Sequence, residues 1–228
     1  MIDTWFSSAV TDQKNCEDLR RGYLADPARI MVVDNVLQPD RYELLSRGLR
    51  EDCSWDTRHG VHDSTTEWVS TENFAEAPEE RRMFRHGAFG GALKGREMSP
   101  GMLGLVRFKL VLESPAFGEL LESLTGRRVN SLQEMLLRRM TSGDMARPHD
   151  DAIEARKLCM LLYFTDGWTA DHGGRFVLHA SNGDRHYEPY ANRMILFDVG
   201  VRQNHSVEAL RASSSGETWR YNFSIWFN

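Results

Sequence analysis

The rhythm of hydrophobic and polar positions changes about halfway along the chain. In the first half, Arg29–Val33 (RIMVV) reads as a strand. Pro39 then opens a stretch in which Tyr42, Leu45 and Leu49 fall at helical spacing. A better-marked helix covers Pro115–Thr125: Ser114 is placed to cap it, Pro115 suits its first turn, Phe117, Leu120, Leu121 and Leu124 share a face, and Gly126 ends it. Between these, residues 53–101 carry no clear period. From about Val129 the pattern becomes short strands, Leu132–Met140, Lys157–Thr165, Arg175–Ala180, Arg193–Val199 and Trp219–Phe227. Turn-forming groups separate them: Thr141–Asp144, Thr165–Gly167, His172–Gly174 and Ser181–Asp184. Helices first and strands afterwards predict an α+β fold in which helices brace a β-sandwich or barrel. No repeat or long Pro/Gly/Ser linker divides the chain, so we expect one domain spanning residues 1–228.

The last strand carries the most information. Alternate residues of a strand share a face, so Tyr221, Phe223, Ile225 and Phe227 form an apolar side and Arg220, Asn222, Ser224 and Trp226 the other. If the second side faces water, Trp226 is out of place; if it faces a dry core, Arg220 needs a charged partner. A barrel mouth holding an anionic ligand satisfies both. An ordinary sandwich strand with Arg220 solvated at its edge is the competing expectation.

Composition narrows the function classes. The 228 residues are 41% hydrophobic and 27% charged, as in a globular chain rather than a disordered or fibrous one. The longest apolar run, Leu158–Phe164, is far too short to cross a bilayer, and the first residues lack the basic and apolar regions of a signal peptide. These features predict a cytoplasmic protein without a membrane partner. A net charge of −5 gives no basic footprint for a nucleic-acid partner. Cys16, Cys53 and Cys159 are odd in number and widely spaced, which suggests neither a disulfide framework nor a cysteine zinc site.

Chemistry concentrates at His149-Asp150-Asp151, after a Gly-containing turn and before an apolar strand. On an extended backbone His149 and Asp151 project to the same side and Asp150 to the other, so the imidazole and the Asp151 carboxylate are within reach of one metal ion. Such a triplet is also common in surface loops. Two histidines and one carboxylate on one face of an octahedral ion leave three positions free, which suits non-haem Fe(II). The second histidine has four downstream candidates: His172 and His186 in polar turn-like stretches, His179 along a strand, and His205 beyond the strand Arg193–Val199. His205 can meet the first pair only if the β-rich half rolls back on itself.

An ordered set of segments resembles the prolyl-hydroxylase-like branch of the Fe(II)/2-oxoglutarate oxygenases. It consists of the turn TSGD, HDD at 149–151, the strand KLCMLLYFTDGW, Gly173-Gly174, PYANRMILFDV, the isolated His205 and RYNFSIWF. The resemblance covers about residues 128–228; RIMVVDNVLQPDRYELL near residues 29–45 is similar to the family's entry strand and helix, with lower specificity. It implies a double-stranded β-helix (a jelly roll, cupin-like), with a helix-rich support over about 1–127 and the catalytic core over about 128–228. It further implies that His149, Asp151 and His205 are the iron ligands, that Arg220 pairs with the distal carboxylate of 2-oxoglutarate, and that Tyr163 helps hold it. A guanidinium fork matches a carboxylate. Arg156 falls near the substrate in some relatives, and Trp226 shares a face with Arg220. At Arg139, where close relatives often have tyrosine, the arginine hints at an anionic substrate group; an exposed Arg138 or Arg139 is the alternative. Trp55, Arg58, His59, His62 and Trp68 are available for a substrate lid.

The resemblance thus implies a dioxygenase using Fe(II), 2-oxoglutarate and O2 to hydroxylate a C–H bond, with release of succinate and CO2. A carboxylate at position 151 favours hydroxylation over halogenation. The expected substrate is an amino acid, a peptide or a small biosynthetic intermediate, with a prolyl-type residue of a protein second. From other classes, a non-catalytic anion-binding barrel would use the same Arg220 face, and an HD-type metal phosphohydrolase would place His149-Asp150 on helices.

Overall fold

The computed structural model describes residues 2–90, 98–153, 155–212 and 219–228. Its twelve strands are β1 (Ile30–Val33), β2 (Trp55–His62), β3 (Thr66–Val69), β4 (Arg82–Phe89), β5 (Leu132–Met140), β6 (Met145–His149), β7 (Leu158–Tyr163), β8 (Phe176–Ala180), β9 (Gly183–Tyr187), β10 (Met194–Asp198), β11 (Asn204–Val207) and β12 (Arg220–Phe227). One antiparallel pairing path runs β1-β10-β7-β12-β5-β4-β6-β11-β8-β9, with the β2–β3 hairpin attached to β4. The path curls because β4 pairs with two partners in succession. Gly87 and Ala88 face β5, whereas Phe84 and Arg85 face β6. The β1–β5 end and the β6–β9 end therefore confront each other as the two walls of a double-stranded β-helix.

The two sides of the larger wall bury different things. Its outer face, including Tyr221, Phe223, Ile225 and Phe227, joins one apolar cluster with Phe6, Leu45, Phe108, Phe117 and Leu121 from the helical side. Its inner face, with Cys159, Leu161, Tyr163, Ile195, Phe197 and Trp226, packs against Phe176 and Leu178 of the opposite wall. Alternation along each strand produces this division. Burying a Phe or Leu side chain is worth about 1.5–3 kcal/mol, so the helix-packed face provides most of the scaffold's hydrophobic stabilisation.

The helices are α1 (Ser8–Thr11), α2 (Gln13–Ala25), α3 (Pro39–Arg47), α4 (Thr71–Glu76), α5 (Pro100–Leu112) and α6 (Pro115–Thr125). α6 matches the sequence expectation at both ends: the Ser114 side chain accepts from the Phe117 N–H, and Gly126 stops the helix at φ +72°. α3 continues into one wide turn at Gly48–Asp52, where it meets the start of α5. A Cβ on Gly48 would sit 2.9 Å from the Gly101 carbonyl oxygen, so this close approach requires a residue without a side chain. The expected strands appear as β1, β5, β7, β8, β10 and β12. The N-terminal half holds more strand than the expected β1, because β2–β4 also belong to the sheet and β4 makes its corner. Among the described residues no helix is long and apolar enough to cross a membrane.

Candidate metal centre

The turn between β5 and β6 fixes where β6 begins. Asp144 is buried, accepts the Thr141 N–H at 2.9 Å, donates its own N–H back to the Thr141 carbonyl, and forms an ion pair with Arg85 at 3.1 Å. Gly143 supplies the left-handed residue at φ +83°. From that turn β6 runs to His149, which lies directly across from His205 of β11. Their rings are 4.4 Å apart between centroids. Asp151, just beyond the strand, turns its carboxylate to the same point: Oδ1 is 3.9 Å from His149 Nε2 and Oδ2 is 3.4 Å from His205 Nε2. Asp150 is exposed, as the alternation predicts. The three residues offer ligand atoms that all lie within 4.8 Å of one another.

The protonation states suit a cation. His149 Nδ1 donates to the Arg147 carbonyl at 2.7 Å, which leaves the Nε2 lone pair facing the cavity. Burial, with His205 as the next cause, pushes the His149 imidazolium down to about 4. For Asp151, burial opposes ionisation, but His205, His149 and the Trp226 N–H together outweigh it and hold the carboxyl below its usual range. The Trp226 indole donates to Asp151 Oδ2 at 3.0 Å. His205 Nδ1 is buried without a partner among the described residues. Two imidazoles and a carboxylate aimed at one point, on one side only, fit an octahedral divalent iron with free positions.

The other histidine candidates are committed elsewhere. His172 closes a short turn through Thr169, His179 bridges Asp184 and Ser206 at 2.9 Å each, and His186 lies 3.3 Å from Glu208.

A small cavity opens beside the triad, lined by Leu161, Phe176 and the inner residues Arg220, Asn222, Ser224 and Trp226 of β12. Arg220 is 2% exposed, which excludes the solvated-edge expectation. It donates to Asn222 Oδ1 at 2.6 Å and to the Tyr163 hydroxyl at 3.4 Å, while its Nε has no partner among the described residues. Burial lowers the Arg220 pKa, and the adjacent Tyr163 partly opposes that. Gly174, at φ +71°, makes room for it, since a Cβ there would lie 3.2 Å from Arg220 Cδ. Tyr163 is fully buried beneath the guanidinium, and burial raises its hydroxyl pKa.

Arg156 stacks on Trp226 at 4.3 Å, pairs with Glu134 at 2.6 Å and comes within 3.9 Å of Asp151. Arg139 is not brought to the cavity. It lies opposite Tyr221 on the outer face, 4.3 Å over the Trp219 ring and 5.6 Å over Trp55. Its neighbour Arg138 takes the inward position, opposite Asn222, and lines the cavity. Burial lowers the Arg138 pKa, with Asp151 acting against that. His86 of β4 was not singled out from sequence; it is buried at the cavity wall, and burial, then Arg138, pushes it well below the ordinary histidine range.

Of the residues expected to supply a lid, Trp55 instead packs on Tyr221 at the outer face and His59 on Phe74. Trp68 is 58% exposed and leans on Phe84, whose ring in turn meets His149 edge-on at 4.8 Å. Residues 91–97 of the 53–101 segment lie outside the described residues.

Comparison with known proteins agrees with this geometry. Residues 135–228 match the model of the 2OG-Fe(II) oxygenase superfamily. The prolyl 3,4-dihydroxylase OGFOD1 of Ostreococcus tauri is 29% identical over 147 residues, 58% of this chain and 28% of that protein. The prolyl 3-hydroxylase OGFOD1 of Mus musculus is 31% identical over 88 residues, 35% of this chain and 15% of that protein. The chain thus spans less than a third of the length of these curated relatives. A Pseudomonas putida prolyl-4-hydroxylase superposes with a TM-score of 0.62 at 14% identity, covering 93% of this chain and 98% of that one. A Trichoplax adhaerens prolyl hydroxylase, in complex with a hypoxia inducible factor oxygen degradation domain peptide, superposes at 0.63 and 15% identity, covering 100% and 95%. These two share the fold.

Proposed function

We propose, from the match of residues 135–228 to the model of the 2OG-Fe(II) oxygenase superfamily, that this chain hydroxylates a C–H bond, consuming 2-oxoglutarate and O2 and releasing succinate and CO2. The observation that carries the proposal is the convergence of His149, Asp151 and His205 within 4.8 Å at the end of a cavity that also holds an arginine with no charged partner among the described residues.

In this reading His149 and His205 present Nε2, and Asp151 its carboxylate, to Fe(II). When bound, the metal supplies the oxygen chemistry that no side chain provides. The residues around it position and shield. The Arg147 carbonyl holds the His149 ring in one tautomer, and the Trp226 N–H holds Asp151 Oδ2. Arg220 offers its guanidinium to the distal carboxylate of 2-oxoglutarate, and the Tyr163 hydroxyl stands beside it. Leu161, Phe176 and Met140 give the cavity an apolar wall, beside which charge contacts are stronger than in water. With Asp151 present, hydroxylation is preferred to halogenation.

The substrate we propose is an amino acid, a peptide or a small biosynthetic intermediate met in the cytoplasm. The names of the OGFOD1 relatives and the peptide bound to the Trichoplax neighbour favour a prolyl residue as the second reading. The test is succinate formation from 2-oxoglutarate by the Fe(II)-reconstituted chain, wild type against Asp151→Ala. We expect turnover in the wild type and at least a hundredfold loss in the variant, with both proteins melting cooperatively. Iron-independent turnover, or a variant as active as the wild type, would reject the assignment. Binding of 2-oxoglutarate without any succinate would favour the anion-binding barrel instead.

A further inference from the structure

Among the described residues, the cavity carries one more positive charge than the proposed metal and cosubstrate use. Arg156 is neutralised by Glu134 at 2.6 Å. That leaves Arg220 and Arg138 as cations in the lining and Asp151 as the anion. A divalent ion brings two further positive charges and a 2-oxoglutarate dianion removes two, so one positive charge stays unmatched. It belongs to Arg138.

The local contacts give the same answer. Arg138 has no ion pair among the described residues, and its Nε is buried without a partner. Asn222, directly opposite in the strand pairing, is already used: its Oδ1 accepts from Arg220 and its Nδ2 donates to Ser224 Oγ at 3.0 Å. Trp226 lies 5.9 Å from the Arg138 guanidinium, a weak cation–π contact at that separation. Arg138 is half-buried with its Nε enclosed, and a ring face at that distance does not stand in for a charged partner. On the inner face Arg138 lies opposite Asn222, two positions along β12 from Arg220 on the way to Trp226 and Asp151. That is where a substrate, rather than the far end of the cosubstrate, would be exposed to it.

We infer that the substrate carries a carboxylate and that Arg138 receives it through its guanidinium fork. The inference rests on the oxygenase reading above. It replaces the sequence-based hint at Arg139 with a residue on the opposite face, and it separates two roles: Arg220 for the cosubstrate, Arg138 for the substrate.

The test uses the full chain, anaerobic and loaded with Mn(II). Titration of 2-oxoglutarate into wild type, Arg138→Leu and Arg220→Leu comes first. We expect less than a threefold change for Arg138→Leu and at least a tenfold loss for Arg220→Leu; equal losses would make Arg138 a cosubstrate residue and overturn the inference. With 2-oxoglutarate saturating, acids are then titrated against their amides: acetate and acetamide, L-proline and L-prolinamide, N-acetyl-L-aspartate and N-acetyl-L-asparagine. At least one acid should bind the wild type tenfold more tightly than its amide, and that preference should vanish in Arg138→Leu and survive in part in Arg138→Lys. No acid preference in the wild type, or one that persists in Arg138→Leu, would overturn the inference. Should Arg138→Leu not fold, Arg138→Gln takes its place with the same expectations. A wild type that binds no 2-oxoglutarate in the presence of Mn(II) has a different signature, because the oxygenase reading itself then falls.

Discussion

The two faces of β12 are made by one run of eight residues and have opposite tasks. Outward, Tyr221, Phe223, Ile225 and Phe227 pack into the helix-braced cluster, with Phe223 and Ile225 at 0% exposure. Inward, Arg220, Asn222 and Ser224 are buried as well, at 2–3%, but they are polar and face a cavity. The outer face holds the scaffold together. The inner face costs stability, since a buried guanidinium and an unpartnered Nε are favourable only once an anion arrives. The strand therefore stabilises the wall with one set of side chains and presents a charged, ligand-dependent surface with the other.

Three substitutions would break or sharpen that contrast. Phe223→Ala, on the outer face, should cost about 3–5 kcal/mol of unfolding free energy through lost burial and a residual cavity, read by urea denaturation; a loss under 1 kcal/mol would mean that the helices are not anchored by this face. Arg220→Met, on the inner face, should weaken 2-oxoglutarate by about 2–5 kcal/mol, the cost of leaving one partner of a buried charge pair alone. In the same variant the ligand-free protein should melt no lower than the wild type, because an unpaired buried cation has been replaced by an apolar side chain. A ligand-free variant that melts much lower would show Arg220 to be structural. Trp226→Phe keeps an aromatic side chain, though a smaller one, and removes the donor to Asp151 Oδ2. Its expected effect is the smallest, about 10–100-fold in metal affinity, measured by competition with a fluorescent chelator; unchanged affinity would reduce Trp226 to a packing residue.

The same contrast explains what the sequence reveals. α6 is legible because Ser114, Pro115, its apolar stripe and Gly126 all act locally. The strands β5, β7, β8, β10 and β12 are legible because each is apolar on at least one side. By contrast β6 (MARPH), β9 (GDRHY) and β11 (NHSV) are short and polar, and only their pairing partners make them strands. His205 illustrates this: its chemistry comes from lying opposite His149 in the register, a contact no local pattern encodes. α2 escapes detection because its apolar stripe is thin: Tyr23 is its one buried residue, with Cys16 and Leu19 only partly covered by the core. The β2–β4 segment is masked by strands whose residues are largely exposed or half-buried. The choice between Arg138 and Arg139 is the sharpest case. Side chains alternate faces, so a shift of one residue decides which arginine enters the cavity. Only the pairing of Arg138 with Asn222 and of Arg139 with Tyr221 settles it.

The central claim is that residues from β6, the segment after it and β11 act together as one cation site. Isothermal titration of Mn(II) into the anaerobic chain and into His205→Ala addresses it most directly, because position 205 is the ligand farthest along the chain from the other two. The account predicts one ion per wild-type chain and at least a hundredfold weaker binding in a variant that stays folded. Equal affinity and stoichiometry in the two proteins would contradict it.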